Sequence, residues 1–291
     1  MVAGLVVVGA DGSPSSLAAV EAAAREAELR GARLRVVHAF LWPAMHVPLG
    51  PPEGGLRNMV EHLVAESVDR ARSVAPGLDV THAVVTGEPL SVLEVQSREA
   101  DLVVVGSRGA GGFVGLLVGS TAVHLAAHGS CPLLVVREAG DPSGPVVLGV
   151  DGSPAGERAV EFAFREAALH GTGLVALHAW TTWNAPLPEP HDGSEPYANP
   201  PGALADGEQL LVSEALAGSR ARYPEVAVEQ RAVRGATREA LIEASRSARM
   251  LVVGARGRGG FAGLLLGSVS QAMLHHAHCP VAVVRGGDAR A

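Results

Sequence analysis

Apolar residues run along this chain in two alternating rhythms. Short aliphatic runs such as Leu5-Val6-Val7-Val8 and Leu102-Val103-Val104-Val105 contain no polar position, as expected of parallel strands buried on both faces. Between them lie stretches where apolar residues recur every three or four positions, as at Val60, Leu63, Val64 and Val68, which is helical spacing. The first half thus predicts strands at 5–8, 34–38, 81–85, 102–105 and 133–136, and helices at 13–30, 58–74, 89–98 and 120–127. Ser13 and Pro14 suit the cap and first position of the opening helix, and Gly31 closes it. The second half predicts strands at 146–150, 174–178, 226–233, 251–253 and 281–284. Alternating strands and helices imply a parallel sheet covered on both faces, and right-handed crossovers make it doubly wound. The expected fold class is α/β: two tandem Rossmann-like domains, each with a five-stranded, mostly parallel sheet.

The halves repeat each other. Gly9-Ala10-Asp11-Gly12-Ser13-Pro14 returns as Gly149-Val150-Asp151-Gly152-Ser153-Pro154, and His38-Ala39 as His178-Ala179, both at an offset of 140. From Gly87 and Gly235 onward the offset is 148, carrying Gly106, Gly109, Gly119 and Ser120 onto Gly254, Gly257, Gly267 and Ser268, and Cys131-Pro132 onto Cys279-Pro280. A period this long is a whole domain and not a solenoid unit. Domains are expected at 1–140 and 141–291, joined by a Gly- and Pro-containing linker at 138–145. The extra residues of the second half fall in a stretch at 181–207, rich in Pro, Gly and Asn, whose counterpart is 41–55. Both read as surface loops.

Composition narrows the function. Of 291 residues, 47% are hydrophobic but only 3% aromatic, so the cores must be built from Val, Leu and Ala. The net charge is -7, the basic residues are all Arg, and no basic stretch is dense enough for a nucleic-acid surface. No apolar run is long enough for a membrane span, and the opening residues lack the basic segment of a signal peptide. Two cysteines cannot make a disulfide framework. The expected setting is a reducing cytoplasm.

In a doubly wound sheet, ligands bind beyond the carboxyl ends of the strands. Two segments of each half should meet there: the turn after the first strand, and the glycine-rich loop after the fourth. That loop reads Gly106-Ser107-Arg108-Gly109-Ala110-Gly111-Gly112, then Gly119-Ser120 at a helix start. Its copy reads Gly254-Ala255-Arg256-Gly257-Arg258-Gly259-Gly260, then Gly267-Ser268. Glycines let backbone approach an anion closely, and a helix start offers N–H donors and partial positive charge to a phosphate. Ser120 and Ser268 add a hydroxyl that could cap the helix or touch phosphate. Without Lys the loop is no Walker A motif, and Gly9-Ala10-Asp11-Gly12 is no dinucleotide fingerprint. Arg108, Arg256 and Arg258 either pair with phosphate or are simply solvated.

Other candidates carry less. Asp11 and Asp151 suit a turn, and near a polyphosphate they would have to face base, sugar or Mg²⁺, so Mg²⁺ is the metal to expect with a nucleotide. His124 and His128 have metal-pair spacing on a helix, but Ala272 replaces the first of them in the second half. His38 and His178 read as hydrogen-bonded structural residues, and Cys131 and Cys279 as small packed thiols. No nucleophile elbow, Ser-His-Asp order or paired catalytic carboxylates stand out, so no catalytic residue is assigned.

The spacing Gly-x2-Gly-x9-Gly-Ser at Gly106, Gly109, Gly119-Ser120, and again at Gly254, Gly257, Gly267-Ser268, resembles the ATP-binding motif of the universal stress protein family. The flanking runs Val7–Ser13, Val37-His38-Ala39 and Cys131–Val136 are similar to that family too, and the resemblance covers nearly the whole chain twice, as in tandem actinobacterial members. It implies one ATP in each half. Gly9 with Asp11, and Gly149 with Asp151, would stand at the end of the first strand beside the nucleotide. Ala39 and Ala179 would meet the adenine edge. Residues 106–112 and 254–260 would wrap ribose and phosphates, and Gly119-Ser120-Thr121 and Gly267-Ser268-Val269 would hold the distal phosphates. It further implies a cytoplasmic regulator of stress response or growth, fifth strands paired between the halves, a homodimer of the whole chain, and a regulatory protein partner. The alternatives are a slow Mg²⁺-dependent ATPase or nucleotide-dependent enzyme, and an interaction scaffold with vestigial pockets. One departure is Arg249 where the first half has Asp101, expected to alter local packing rather than binding.

Overall fold

The computed structural model describes residues 4–40, 55–109, 118–137, 140–181, 203–258 and 265–286. The first half is β1 (Leu5–Gly9), α1 (Pro14–Arg30), β2 (Arg33–Phe40), α2 (Gly55–Val74), β3 (Val80–Thr86), α3 (Pro89–Gln96), β4 (Leu102–Gly106), α4 (Ser120–His128) and β5 (Leu133–Val136). The second repeats it as β6 (Val146–Gly149), α5 (Glu157–His170), β7 (Leu174–Trp180), α6 (Ala203–Arg222), β8 (Val228–Arg234), α7 (Thr237–Ala244), β9 (Met250–Gly254), α8 (Ser268–His276) and β10 (Val281–Val284). The opening helix is bounded as its sequence dictates. Ser13 Oγ accepts from the Ser16 N–H at 3.2 Å, and Gly31 takes the left-handed conformation (φ 58°) that ends it. Several boundaries shift: residues 203–207, read as loop, already belong to α6, the helix expected from 58 begins at Gly55, the helix expected to 98 ends at Gln96, and the strand expected from 226 starts at 228.

Each half contributes five parallel strands, yet the ten form one sheet in the order β3-β2-β1-β4-β5-β10-β9-β6-β7-β8. The single antiparallel pairing is β5 with β10 at the centre, Leu134 opposite Ala282. It joins the halves and leaves neither strand as an exposed apolar edge. Alternate strand residues serve opposite faces. Val6 and Val8 pack with Ala19, Val20 and Ala23 of α1 and with Val64 and Val68 of α2. Leu5 and Val7 pack toward Val92 and Leu93 of α3 and Ala122 and Leu125 of α4. The same layers continue through the second half, and aromatic core residues are few, Phe162, Phe164 and Trp180 being the buried ones among the described residues.

Residues 141–144, part of the expected linker, are hydrogen-bonded: Asp141 N–H donates to Ala248 O at 3.1 Å, and Gly144 N–H to Asp141 O at 2.9 Å. Beside it lies the reason for the Asp101-to-Arg249 departure. Asp101 Oδ2 accepts the Leu5 N–H at 2.8 Å. The position equivalent to Leu5 is Pro145, which has no N–H to satisfy. Arg249 is free to turn elsewhere, and its guanidinium donates to the Pro142 carbonyl. Asp101→Ala should therefore destabilise by about 1–3 kcal/mol, the penalty for stranding a buried donor. Chemical denaturation measures this, and a change of a few tenths would refute the assignment.

Candidate functional site

At the carboxyl end of β1 the chain turns through Gly12 (φ 78°), and at β6 through Gly152 (φ 66°), a left-handed conformation that glycine adopts without strain. Each preceding aspartate closes the turn. Asp11 Oδ1 accepts from Ser13 N–H at 3.0 Å, and Asp151 Oδ1 from Ser153 N–H at 2.9 Å and Ser153 Oγ at 2.7 Å. The turn reading of both aspartates therefore holds, and their second oxygens point across to the glycine loop. A Cβ on Gly109 would sit 2.7 Å from Asp11 Oδ2, and one on Gly257 2.5 Å from Asp151 Oδ2. A side chain at either glycine would push the aspartate carboxylate out of its place. Gly106 is crowded as well, a Cβ falling 2.7 Å from the Ser15 carbonyl oxygen.

Both limbs of each loop are pinned alike. Ser107 N–H donates to Val136 O at 2.9 Å and Ala255 N–H to Val284 O at 2.8 Å. At the far limb Gly119 N–H donates to Ser107 O and Gly267 N–H to Ala255 O, both at 2.8 Å. The helix starts follow at once. Gly119 and Gly267 are the cap residues of α4 and α8, and neither has a side-chain cap bond. Ser120 and Ser268 are first helical residues, so the capping role offered for their hydroxyls is not adopted; Thr121 and Val269 follow in the same first turn. The result, in duplicate, is an aspartate, two glycine backbones and an uncapped helix start around the end of two neighbouring strands, an arrangement suited to an anion.

Ala39 and Ala179, expected at the edge of a base, lie on strand ends that run past β1 and β6. β1 pairs with β2 only as far as Gly9 opposite Val37, so β2 overhangs through Ala39, and β7 overhangs likewise through Ala179. The neighbouring histidines are hydrogen-bonded, His38 Nδ1 to Ala10 O at 2.8 Å and His178 Nδ1 to Val150 O at 2.7 Å. Arg108 is exposed and its N–H meets Ser15 Oγ at 3.3 Å, while Arg258 N–H donates to Asp151 Oδ2 at 2.9 Å and its Nη2 to Gly152 O at 3.2 Å. Ala110, Gly111, Gly112, Gly259 and Gly260 lie outside the described residues. A cleft of about 360 Å³ opens between α5 and α6, lined by the second turn itself, with Gly149, Asp151 and Gly152, by Glu157, Glu214 and Arg222, and by no described residue of the glycine loop.

Two residues of this region escaped sequence reasoning. Ser15 walls Gly106, a contact that only the packing of α1 on β4 creates. Glu208 reaches His178 Nε2 at 2.8 Å; its one signal was a carboxylate on a helix face whose first-half counterpart, Val60, is apolar.

The remaining candidates settle into structural roles. His124 Nε2 meets Glu94 Oε2 at 2.8 Å and its ring stacks on His128 at 4.3 Å. This pair is not among the groups of three or more metal-ligand atoms that converge in the described residues. Burial pushes the thiols of Cys131 and Cys279 up to about 12, so both stay protonated and unreactive. The nucleotide fits this donor set: the glycine cradle excludes side chains and the helix starts are uncapped. Mg²⁺ fits less directly, because both carboxylate oxygens of Asp151 already accept hydrogen bonds.

Comparison with known proteins agrees in both sequence and fold. The universal stress protein family model matches residues 5–137 and again 143–285. Two universal stress proteins of Mycobacterium tuberculosis are each 38% identical, over 96% of this chain and 94% and 96% of their own lengths. One from Mycolicibacterium smegmatis is 37% identical over 96% of both chains. Among solved structures, a universal stress protein from Archaeoglobus fulgidus superposes with a TM-score of 0.71 at 18% identity, covering 97% of this chain and 98% of its own. It shares the fold. Among the described residues no helix is long and apolar enough to cross a membrane.

Proposed function

The chain belongs to the universal stress protein family, and from that premise we propose that it is an adenine-nucleotide-binding regulator of stress response or growth, with one ATP held by each of its domains, 1–140 and 141–291. The observation that carries this reading is the duplicated contact of Gly109 with Asp11 and Gly257 with Asp151, each beside an uncapped helix start. Phosphates would lie against the N–H groups of the loops and of the first turns of α4 and α8, where the helix dipole favours negative charge. The overhanging backbone at Ala39 and Ala179 would meet the base. Asp11 and Asp151 would face the sugar or a phosphate-bound Mg²⁺, away from the phosphates themselves.

The reading takes binding, rather than turnover, as the output. Nucleotide would order the glycine loops and bias the surface they present. A homodimer of the whole chain in the cytoplasm, with a separate regulatory partner, belongs to the same reading. Such a dimer would use surfaces other than β5 and β10, which are already paired with each other.

Denaturing release of small molecules from freshly purified protein, read by chromatography and mass spectrometry, tests the proposal. About two ATP per chain should be found, and a Gly109→Ala, Gly257→Ala variant should lose both. Saturating ATP should also raise stability, by about 2.7 kcal/mol per occupied site at a hundredfold excess over Kd. Absence of nucleotide, with no uptake from added Mg²⁺ and ATP, would overturn it.

A further inference from the structure

The two sites are not equivalent, and the difference starts at the paired histidines. Each donates through Nδ1 to the carbonyl just before its aspartate, Ala10 O for His38 and Val150 O for His178. On the other ring nitrogen the halves part. His178 Nε2 meets Glu208 Oε2 at 2.8 Å, both residues 8% exposed. The first-half counterpart of Glu208 is Val60, for α2 and α6 are equal in length and in register: Val64 and Val68 of one, like Val212 and Leu216 of the other, face the core. Val60 can offer His38 no hydrogen bond.

We propose that the second half holds the tighter nucleotide site, and that Glu208 is the positioning residue that makes it so. The inference rests on the nucleotide-binding reading above. Glu208 through His178 ties together α6, the end of β7 and the turn after β6. These carry Ala179 and Asp151, the groups placed against base and sugar. A buried hydrogen bond to a carboxylate is among the stronger ones, and ordering the site before the ligand arrives removes part of the entropic cost of binding. The glycine loop supplies a second, independent difference. Arg258, whose first-half counterpart is Ala110, adds a guanidinium that donates to Gly152 O at 3.2 Å in the turn beside Asp151. Ser270, whose counterpart is Ala122, donates to Gly254 O at 2.6 Å and fixes the loop's near limb. Against these the first half sets one long contact, Ser15 Oγ accepting the Arg108 N–H at 3.3 Å, where the second half has Ala155.

Calorimetric titration of the full, nucleotide-stripped chain with ATP and Mg²⁺ decides the matter. The expected isotherm has two steps about tenfold apart in Kd. Gly257→Ala should remove the tight step and Gly109→Ala the weak one. Glu208→Val, which installs the first-half residue, should bring the tight step down to the weak one, whereas Glu208→Gln, still able to bond His178, should restore most of the difference. Arg258→Ala, at an exposed position where folding is not at stake, should weaken the tight step alone. A single class of sites, a tight step lost in Gly109→Ala, an Arg258→Ala chain with both steps unmoved, or a Gln variant as weak as Val would overturn the inference. Complete absence of uptake by the unmodified chain is a different result and would bring down the nucleotide reading itself.

Discussion

Arg30→Ala should cost about 3–5 kcal/mol of stability, the range for removing one partner from a buried ion pair. Arg30 lies where α1 of the first half crosses α5 of the second, and its side chain is only 10% exposed. It donates to the Glu26 carboxylate and, at 2.6 Å, to Glu166 Oε1. The two glutamates are the same position in the duplicated sequence, as are Arg30 and His170, and His170 Nε2 answers by meeting Glu26 Oε1 at 3.0 Å. Each half thus hands a donor to the other's carboxylate. Without Arg30, the buried carboxyl groups of Glu26 and Glu166 would face one another with His170 as their nearest hydrogen-bond donor. Arg30→Lys should recover only part of the loss, because an ammonium cannot fork to both acids. A double variant, Arg30→Ala with Glu166→Ala, should lose less than the sum of the single changes. Guanidinium denaturation curves give all these values, and a loss below about 1 kcal/mol for Arg30→Ala would show that the joint between the halves does not depend on this cluster.

Much of the molecule was legible from residue order alone. Apolar runs at 5–8, 102–105 and 133–136 admit few readings other than buried strands, and the helix signals Ser13-Pro14 and Gly31 set both ends of α1 to the residue. The glycine spacing marked the site because glycine is costly unless something crowds it, and Asp11 and Asp151 are what crowd it. What stayed hidden depends on faces that meet only in three dimensions. Glu26 and Arg30, four apart on a helix, look in sequence like any solvated pair until α5 covers them. Glu208 lies 30 residues along the chain from His178, and no local rule joins the two. The Asp101-to-Arg249 exchange reads as an arbitrary charge reversal until the missing N–H of Pro145 is set against it. The pairing of β5 with β10 was implied by family resemblance, and the strands' apolar character agrees with it but does not select a partner.

Stability should fall as pH rises from about 4.5 to 7, and Glu166→Gln should flatten that fall. Burial, reinforced by the neighbouring charge of Glu26, pushes the Glu166 carboxyl up from 4.5 to about 7, against the pull of Arg30. Its Oε2 is buried with no hydrogen-bond partner, so a proton there does not displace an existing bond. Below pH 4.5 the folded and unfolded chains both hold that proton, and Glu166 contributes no slope. Between 4.5 and 7 only the folded chain holds it, so each rise in pH favours unfolding, by at most about 1.4 kcal/mol per unit. Above 7 both states are ionised and the slope vanishes. Glu26 acts in the opposite sense. Burial alone would raise it, but the hydrogen bond from His170 and the charge of Arg30 outweigh burial and hold it below 4.5, so it adds stability that is lost in acid. The other groups facing Glu166 are His170, whose Nε2 lies 3.9 Å from its Oε2, and Arg165 on α5, with Arg249 behind His170; the two arginines keep their charge throughout this range. The difference between wild-type and Glu166→Gln denaturation curves, taken from pH 4 to 8, isolates the one group. Parallel profiles would mean that the proton is not held at Glu166, whereas convergence toward pH 5 and separation toward pH 8, with the amide variant the more stable, would place a titrating joint between the two halves.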